Sequence, residues 1–138
     1  MSNIISTVTY LGDLRTECVH LISGEKFITD APVDNNGKGQ AFSPTDLTST
    51  SLGACLLTLM GIAGNAHDID ITGTVVTISK FMASDPRRIS KISAEVQFAI
   101  NDYTSKEKKI LEKAALTCPV AMSLHPDIEQ DITFVYER

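Results

Sequence analysis

The 138-residue chain has no tryptophan, only five phenylalanines and three tyrosines, and no excess of basic residues. Its 12 lysines and arginines are outnumbered by 17 aspartates and glutamates, which gives a formal net charge of −5. Proteins that bind nucleic acids neutralise phosphates with basic side chains and stack bases on aromatic rings. The composition therefore argues against a nucleic-acid partner.

The sequence also lacks a closely spaced set of metal ligands and a glycine-rich phosphate loop. The cysteines stand at positions 18, 55 and 118 and the histidines at 20, 67 and 125, without ligand-like spacing. The stretch Asn36-Gly37-Lys38-Gly39 predicts only a flexible turn. We expect no metal and no bound cofactor.

A targeting or membrane segment is missing as well. The first residues contain no basic region followed by an apolar core, so three cysteines without a signal peptide predict reduced thiols in the cytoplasm. The longest uncharged stretch, Leu47 to His67, holds serines, threonines and three glycines. A membrane-spanning helix needs about 20 predominantly apolar residues, so this stretch predicts a helix buried in protein and no membrane partner.

The pattern of hydrophobic residues predicts a single α+β domain over residues 1–138. Alternation and turn residues predict strands at Ser6–Leu11, Leu14–Ser23, Lys26–Asp30, Thr72–Phe81, Ile92–Ile100 and Ile132–Tyr136. Most of the pairing is expected to be antiparallel, with a hairpin at Ser84-Asp85-Pro86 and one long loop from Ala31 to Phe42.

Three helices interrupt these strands. Ser43-Pro44-Thr45-Asp46 supplies a cap, a proline at the first helical position and an acid in the first turn, and the helix should end near Gly64-Asn65. Thr104 and Glu107 have the spacing of a capping box for a second helix. Cys118-Pro119 predicts a short third helix that ends near Leu124.

The first helix is apolar on nearly every side from Leu52 to Ala63. Such a helix is normally buried all round, which one domain of this size with a single layer of sheet can hardly achieve. We therefore expect a homodimer in which a second copy covers the exposed side.

The cysteines differ in their expected settings. Cys55 lies mid-helix, where the residues alone favour an inert buried thiol, whereas Cys118 begins a helix whose N–H groups favour a thiolate. A reactive Cys55 would need a cation from elsewhere, and Arg15 is the obvious donor. Cys18 and His20 share one strand face and are expected in the core.

Two stretches together resemble the OsmC/Ohr family of osmotically inducible and organic hydroperoxide resistance proteins. They are Ala41-Phe42-Ser43-Pro44-Thr45-Asp46-Leu47 … Ser51-Leu52-Gly53-Ala54-Cys55, and Cys118-Pro119-Val120. The order of the predicted elements agrees over nearly the whole chain, and the likeness is greatest to the OsmC-like branch. The resemblance implies antiparallel sheets packed around long central helices in an intertwined homodimer.

The resemblance also implies a thiol-dependent peroxidase. Cys55 matches the peroxidatic cysteine, Cys118 the resolving cysteine, and Arg15 the arginine that holds the first thiolate ionised. The family's glutamate partner of that arginine is replaced by Thr45, so neighbouring Asp46 is expected to substitute, although it is turned by ~100° around the helix.

The implied substrate is an organic, lipid-type hydroperoxide, and the implied reductant is an external dithiol of lipoyl or thioredoxin type. Because the glutamate is replaced, an alternative stays open: a small apolar ligand-binding or stress-associated protein without efficient peroxidase activity.

Overall fold

A computed structural model describes residues 3–99 and 102–136 of the chain. The contacts divide the chain into two compact units, residues 1–47 and 48–138. The predicted strand Ile92–Ile100 ends outside the described residues, so its last position has no outcome. A single domain over residues 1–138 stays a prediction.

The first unit contains a three-stranded antiparallel sheet in the order β1-β2-β3. Its strands are β1 (Ser6–Gly12), β2 (Arg15–His20) and β3 (Lys26–Asp30). The register aligns Val8, Cys18 and Phe27 across the sheet and sets Arg15 directly opposite Asp30. The long loop that follows contains a short 3₁₀ turn at Val33–Asn35.

The predicted helix start at Ser43 is confirmed. Helix α1 (Pro44–His67) begins in the first unit and continues into the second. The Asp46 N–H donates to Ser43 Oγ and the Ser43 N–H donates to Asp46 Oδ2, both at 3.0 Å. Two backbone N–H groups are thereby satisfied reciprocally at the end of the helix.

The second unit contains the rest of α1, two more helices and a second sheet. Its other elements are β4 (Val75–Ala83), β5 (Arg88–Gln97), α2 (Ser105–Ala115), α3 (Pro119–Ser123) and β6 (Glu129–Val135). Thr104 and Glu107 form the predicted capping box, and Cys118 is the N-cap residue of α3. The α+β class is thus confirmed.

The sheet of the second unit has the order β4-β5-β6 and corrects one part of the prediction. Strands β4 and β5 form the expected antiparallel hairpin, but β6 runs parallel to β5. A parallel pair needs a crossover of a dozen or more residues, and α2 and α3 lie within that crossover.

The core of the second unit packs against one side of α1. Leu52, Leu56 and Met60 of α1 are completely buried together with Val96 and Phe98, whereas Ile62 on the same helix is 60% exposed. By length and composition α1 could also cross a membrane, a test that the core helices of water-soluble proteins pass as well. The helix is therefore not buried on all sides by the described residues of its own chain.

Candidate functional site

Cys55 lies on α1, where the helix passes close to β4. A side chain at Gly53 would put a Cβ 3.2 Å from Ile78 Cδ1 and 3.3 Å from Val76 Cγ1, so glycine permits this close approach. Cys55 follows two positions later, is half-buried and packs against the edge of the core. The helix thus holds this thiol at the border between core and solvent.

Cys118 lies on a different element and reaches the same place. It caps the N-terminus of α3 directly before Pro119 and is completely buried. Its thiol lies beside the Cys55 thiol, close enough for the two groups to influence each other's charge. The structure therefore brings together two cysteines that are 63 positions apart in the sequence.

The surroundings of Cys118 oppose ionisation. Burial raises the pKa of the Cys118 thiol, and the neighbouring Cys55 thiol raises it further. The backbone N–H groups of Ala121 and Val120 act in the opposite direction but do not prevail. The N–H groups at the start of α3 thus favour the Cys118 thiolate as expected, but desolvation outweighs the few N–H groups of a five-residue helix, so the pKa is raised.

The two thiols are suited to different tasks. Cys55 is half-buried and free, whereas Cys118 is buried, free and adjacent to it. A dithiol in this arrangement can be oxidised at the accessible sulfur first and then closed to a disulfide by the second sulfur.

Arg15 belongs to a separate cluster in the first unit. Its Nε donates to Asp30 Oδ1 at 2.7 Å and its Nη2 to Asp30 Oδ2 at 2.8 Å, a bidentate ion pair. Nη2 also donates to Gln40 Oε1 at 3.0 Å. The hydrogen bond from Arg15 holds the pKa of the Asp30 carboxyl below its usual value, so Asp30 stays ionised.

Asp30 is the residue that sequence reasoning missed. Only 1% of its side chain is exposed, and it holds the arginine for which Asp46 was the expected partner. Asp46 instead accepts from the Ser43 N–H at the start of α1. The sequence did hold a usable clue, because joining the predicted strands Leu14–Ser23 and Lys26–Asp30 as a hairpin can set Arg15 opposite Asp30.

The remaining cysteine and the three histidines belong to neither cluster. Cys18 is half-buried, and His20 is exposed with its Nδ1 2.6 Å from Ser23 Oγ, so the core assignment is wrong for His20. His67 and His125 are exposed. Within the described parts of the chain, no three histidine, cysteine or acidic side chains are grouped so as to hold a metal ion.

A cavity of about 490 Å³ lies at the C-terminal end of α1. Its lining is largely polar or small: Gly61, Gly64, Asn65, Asp68, Ile69, Asp70, Ile71 and Thr72. No cysteine takes part in that lining.

Comparison with known proteins gives a consistent result. The model of the family described as OsmC-like protein matches residues 37–133. A structure from Psychrobacter arcticus 273-4, of a protein named for osmotic stress induction and a detoxification response, is 51% identical over 97% of both chains, with a TM-score of 0.92. None of the curated proteins compared with the chain matches it.

More distant structures share the fold alone. An organic hydroperoxide resistance protein OsmC from Legionella pneumophila is 13% identical over 98% of this chain and 99% of its own, with a TM-score of 0.74. An organic hydroperoxide resistance protein from Elizabethkingia anophelis is 18% identical over 99% and 98%, with a TM-score of 0.72. From its family match and its 51% identical relative, the chain belongs to the OsmC-like protein family.

Proposed function

We propose that this chain is a thiol-dependent peroxidase that reduces organic hydroperoxides. The observation that carries the proposal is that half-buried Cys55 lies beside fully buried Cys118. Structures of two fold relatives belong to proteins named for organic hydroperoxide resistance, which is consistent with the same chemistry.

In the proposed cycle, Cys55 is the nucleophile. Its thiolate attacks the O–O bond of ROOH, and the sulfur takes the OH group to become a sulfenic acid while RO⁻ leaves and is protonated to ROH. The Cys118 thiol then displaces water from that sulfenic acid and forms the Cys55–Cys118 disulfide. An external dithiol of lipoyl or thioredoxin type reduces the disulfide by exchange.

The buried position of Cys118 supports its role as the resolving cysteine. Since its pKa is raised, Cys118 is a poor first nucleophile at neutral pH and does not compete with Cys55 for peroxide. Its contact with Cys55 makes the second step intramolecular, so the sulfenic acid is captured quickly.

Arg15 is proposed to stabilise the anionic sulfur of Cys55. An arginine keeps its charge at every relevant pH and offers fixed N–H donors to an anion. Asp46 is retained as a proposed member of the site through its position at the start of α1, the helix that carries Cys55.

The proposed working form is a homodimer. Val8 and Phe27 align on one face of the first sheet and are 63% and 46% exposed, and Tyr10 on β1 is 65% exposed. Together with Ile62 of α1, these apolar side chains favour burial against a second copy of the chain.

The proposal is tested by following the consumption of cumene hydroperoxide in the presence of a dithiol reductant. Cys55→Ser should abolish turnover, and Cys118→Ser should accumulate a sulfenic acid that dimedone traps. Cys18→Ser is the matched control, because it removes one thiol outside the proposed cycle and should keep turnover. Full turnover by Cys55→Ser would contradict the proposal.

A further inference from the structure

The guanidinium of Arg15 is held rigidly by partners on two sides. Asp30 occupies the edge formed by Nε and one hydrogen of Nη2, at 2.7 and 2.8 Å, and Gln40 Oε1 accepts from Nη2 at 3.0 Å. Three of the five N–H donors are therefore engaged by two side chains. Because a guanidinium is planar, fixing these donors also fixes the direction of the other two.

Both partners are themselves anchored. Asp30 is almost completely buried at the end of β3, and its Oδ2 also accepts from the Gln40 N–H at 3.0 Å. The loop before Gln40 is closed on Ala31, whose carbonyl accepts from the Gly39 N–H at 3.1 Å. A side chain at Gly37 would place its Cβ 1.7 Å from that same carbonyl oxygen, so the loop packs too closely against Ala31 for any residue but glycine at this position.

The two hydrogens of Arg15 Nη1 form no hydrogen bond with any residue in the described ranges. The Arg15 side chain is 27% exposed, whereas Asp30, which holds the opposite edge of the guanidinium, is 1% exposed. A fixed pair of donors that points away from its anchor is a geometry suited to holding an anion.

We propose that Asp30 and Gln40 are positioning residues that aim the Nη1 donors of Arg15 at the anion formed in the reaction. The inference rests on the proposed function, in which that anion is the Cys55 thiolate that attacks the hydroperoxide. Asp30 and Gln40 touch neither sulfur nor substrate in this role and act through Arg15.

A positioning role and a charge role of Asp30 have opposite consequences. As a negative charge, Asp30 weakens the attraction of Arg15 for anions, so removing the charge should strengthen that attraction. As an anchor, Asp30 holds the donors in place with both of its oxygens, so replacing it by asparagine should weaken the attraction, because asparagine has an NH₂ donor in place of one acceptor oxygen. The sign of the change therefore separates the two roles.

The test compares the alkylation of Cys55 by iodoacetate, an anion, and by iodoacetamide, which is neutral. The ratio of the two rates is independent of the fraction of Cys55 that is ionised, since both reagents attack the same thiolate. A unit charge about 5 Å from the reagent's carboxylate changes its rate by about fourfold in a water-like dielectric. Peptide mass spectrometry separates Cys55 from the other cysteines, and the reaction needs no peroxide.

We expect Asp30→Asn to lower the ratio by about threefold or more, and Gln40→Ala to lower it by a smaller factor. Neither substitution should lower it further in an Arg15→Met background. Asp13→Asn is the matched control: it also removes one negative charge near Arg15, but Asp13 makes no hydrogen bond to the guanidinium. The ratio in this control should stay the same or rise slightly.

A ratio that rises or stays constant in Asp30→Asn overturns the inference, as does an equal effect of Asp30→Asn with and without Arg15. Should Asp30→Asn not fold, Gln40→Ala decides, since Gln40 is exposed and an unchanged ratio in it contradicts the inference. If Arg15→Met lowers the ratio and both other variants leave it constant, only the inference fails. If Arg15→Met itself has no effect, Arg15 does not serve Cys55, and that part of the proposed function falls with the inference.

Discussion

The thiol of Cys118, completely buried at the start of α3, lies beside the half-buried Cys55 of α1. Two different elements thus present two sulfurs of unequal exposure to each other. Burial raises the pKa of the inner thiol, so the outer sulfur is the one prepared to meet an oxidant first. This asymmetry assigns an order to the proposed chemistry that the cysteine positions alone do not contain.

The first prediction concerns the order of alkylation. At neutral pH we expect iodoacetamide to label Cys118 at least about tenfold more slowly than Cys55, because Cys118 is buried and each unit of raised pKa reduces its thiolate about tenfold. Labelling of Cys118 should continue to increase above the pH at which an ordinary thiol is fully ionised. Quantitative peptide mass spectrometry over a pH series measures both rates, and equal rates near neutral pH would contradict the proposed order.

The second prediction concerns stability in acid. The Arg15 hydrogen bond lowers the pKa of Asp30 in the folded state, so the pair stabilises the fold above the unfolded-state value of about 3.9. That contribution is lost as the pH falls through the lower folded-state value. Asp30→Asn should therefore lower the thermal midpoint near pH 7 and flatten its decline below about pH 4.

This prediction is checked by thermal melts of the Asp30→Asn variant and of the unsubstituted protein from about pH 6 to about pH 2.5. Asp13→Asn provides the comparison, because Asp13 is largely exposed and its ion pair with Lys38 should contribute little. A decline of the same steepness in Asp30→Asn and the unsubstituted protein would show that the buried ion pair is not the source of the acid sensitivity.

The third prediction concerns the dimer. Cys55→Ser and Arg15→Met are each expected to be nearly inactive, and we expect activity to return when the two variants exchange subunits. If Arg15 of one chain serves Cys55 of the other, each heterodimer carries both lesions in one site and an intact second site. An equal mixture should then recover roughly a quarter of the activity.

Sedimentation analysis at micromolar concentration is the companion measurement, because a monomer would exclude any shared site. Heterodimers as inactive as both parents would mean that Arg15 and Cys55 of one chain act together.

Much of the fold could be predicted because local chemistry fixes the ends of its elements. Thr104 and Glu107 form their capping box as the spacing predicts, and Ser43 and Asp46 exchange hydrogen bonds at the start of α1. In β5, the alternation that begins at Ile92 predicts the buried face correctly.

What sequence patterning missed depends on partners that are distant in the chain. Strand β6 begins at Glu129, three residues before the predicted Ile132, because the backbone of Glu129, Gln130 and Asp131 already pairs with β5. These polar residues give no apolar alternation, and the parallel direction of β6 follows from the crossover rather than from its own residues.

In the candidate site, too, some features could be predicted from the sequence and others could not. The two cysteine motifs single out Cys55 and Cys118, and the two thiols lie beside each other in the structure, while their catalytic roles stay a prediction. The partner of Arg15 was not predictable from the helix motif, since Asp30 reaches it across a hairpin. That desolvation of Cys118 outweighs the N–H groups of α3 was not predictable either, because burial is a property of the folded core.

The central claim, that Cys55 and Cys118 form one redox couple, is tested most directly by mapping the disulfide after oxidation. Reduced protein is treated with one equivalent of cumene hydroperoxide, quenched with a thiol-blocking reagent and digested under non-reducing conditions for mass spectrometry. The account predicts a Cys55–Cys118 bridge as the main product, with Cys18 recovered as the blocked thiol. A main product that links Cys18 to Cys55 or to Cys118, or a protein whose three thiols all remain reduced, would contradict it.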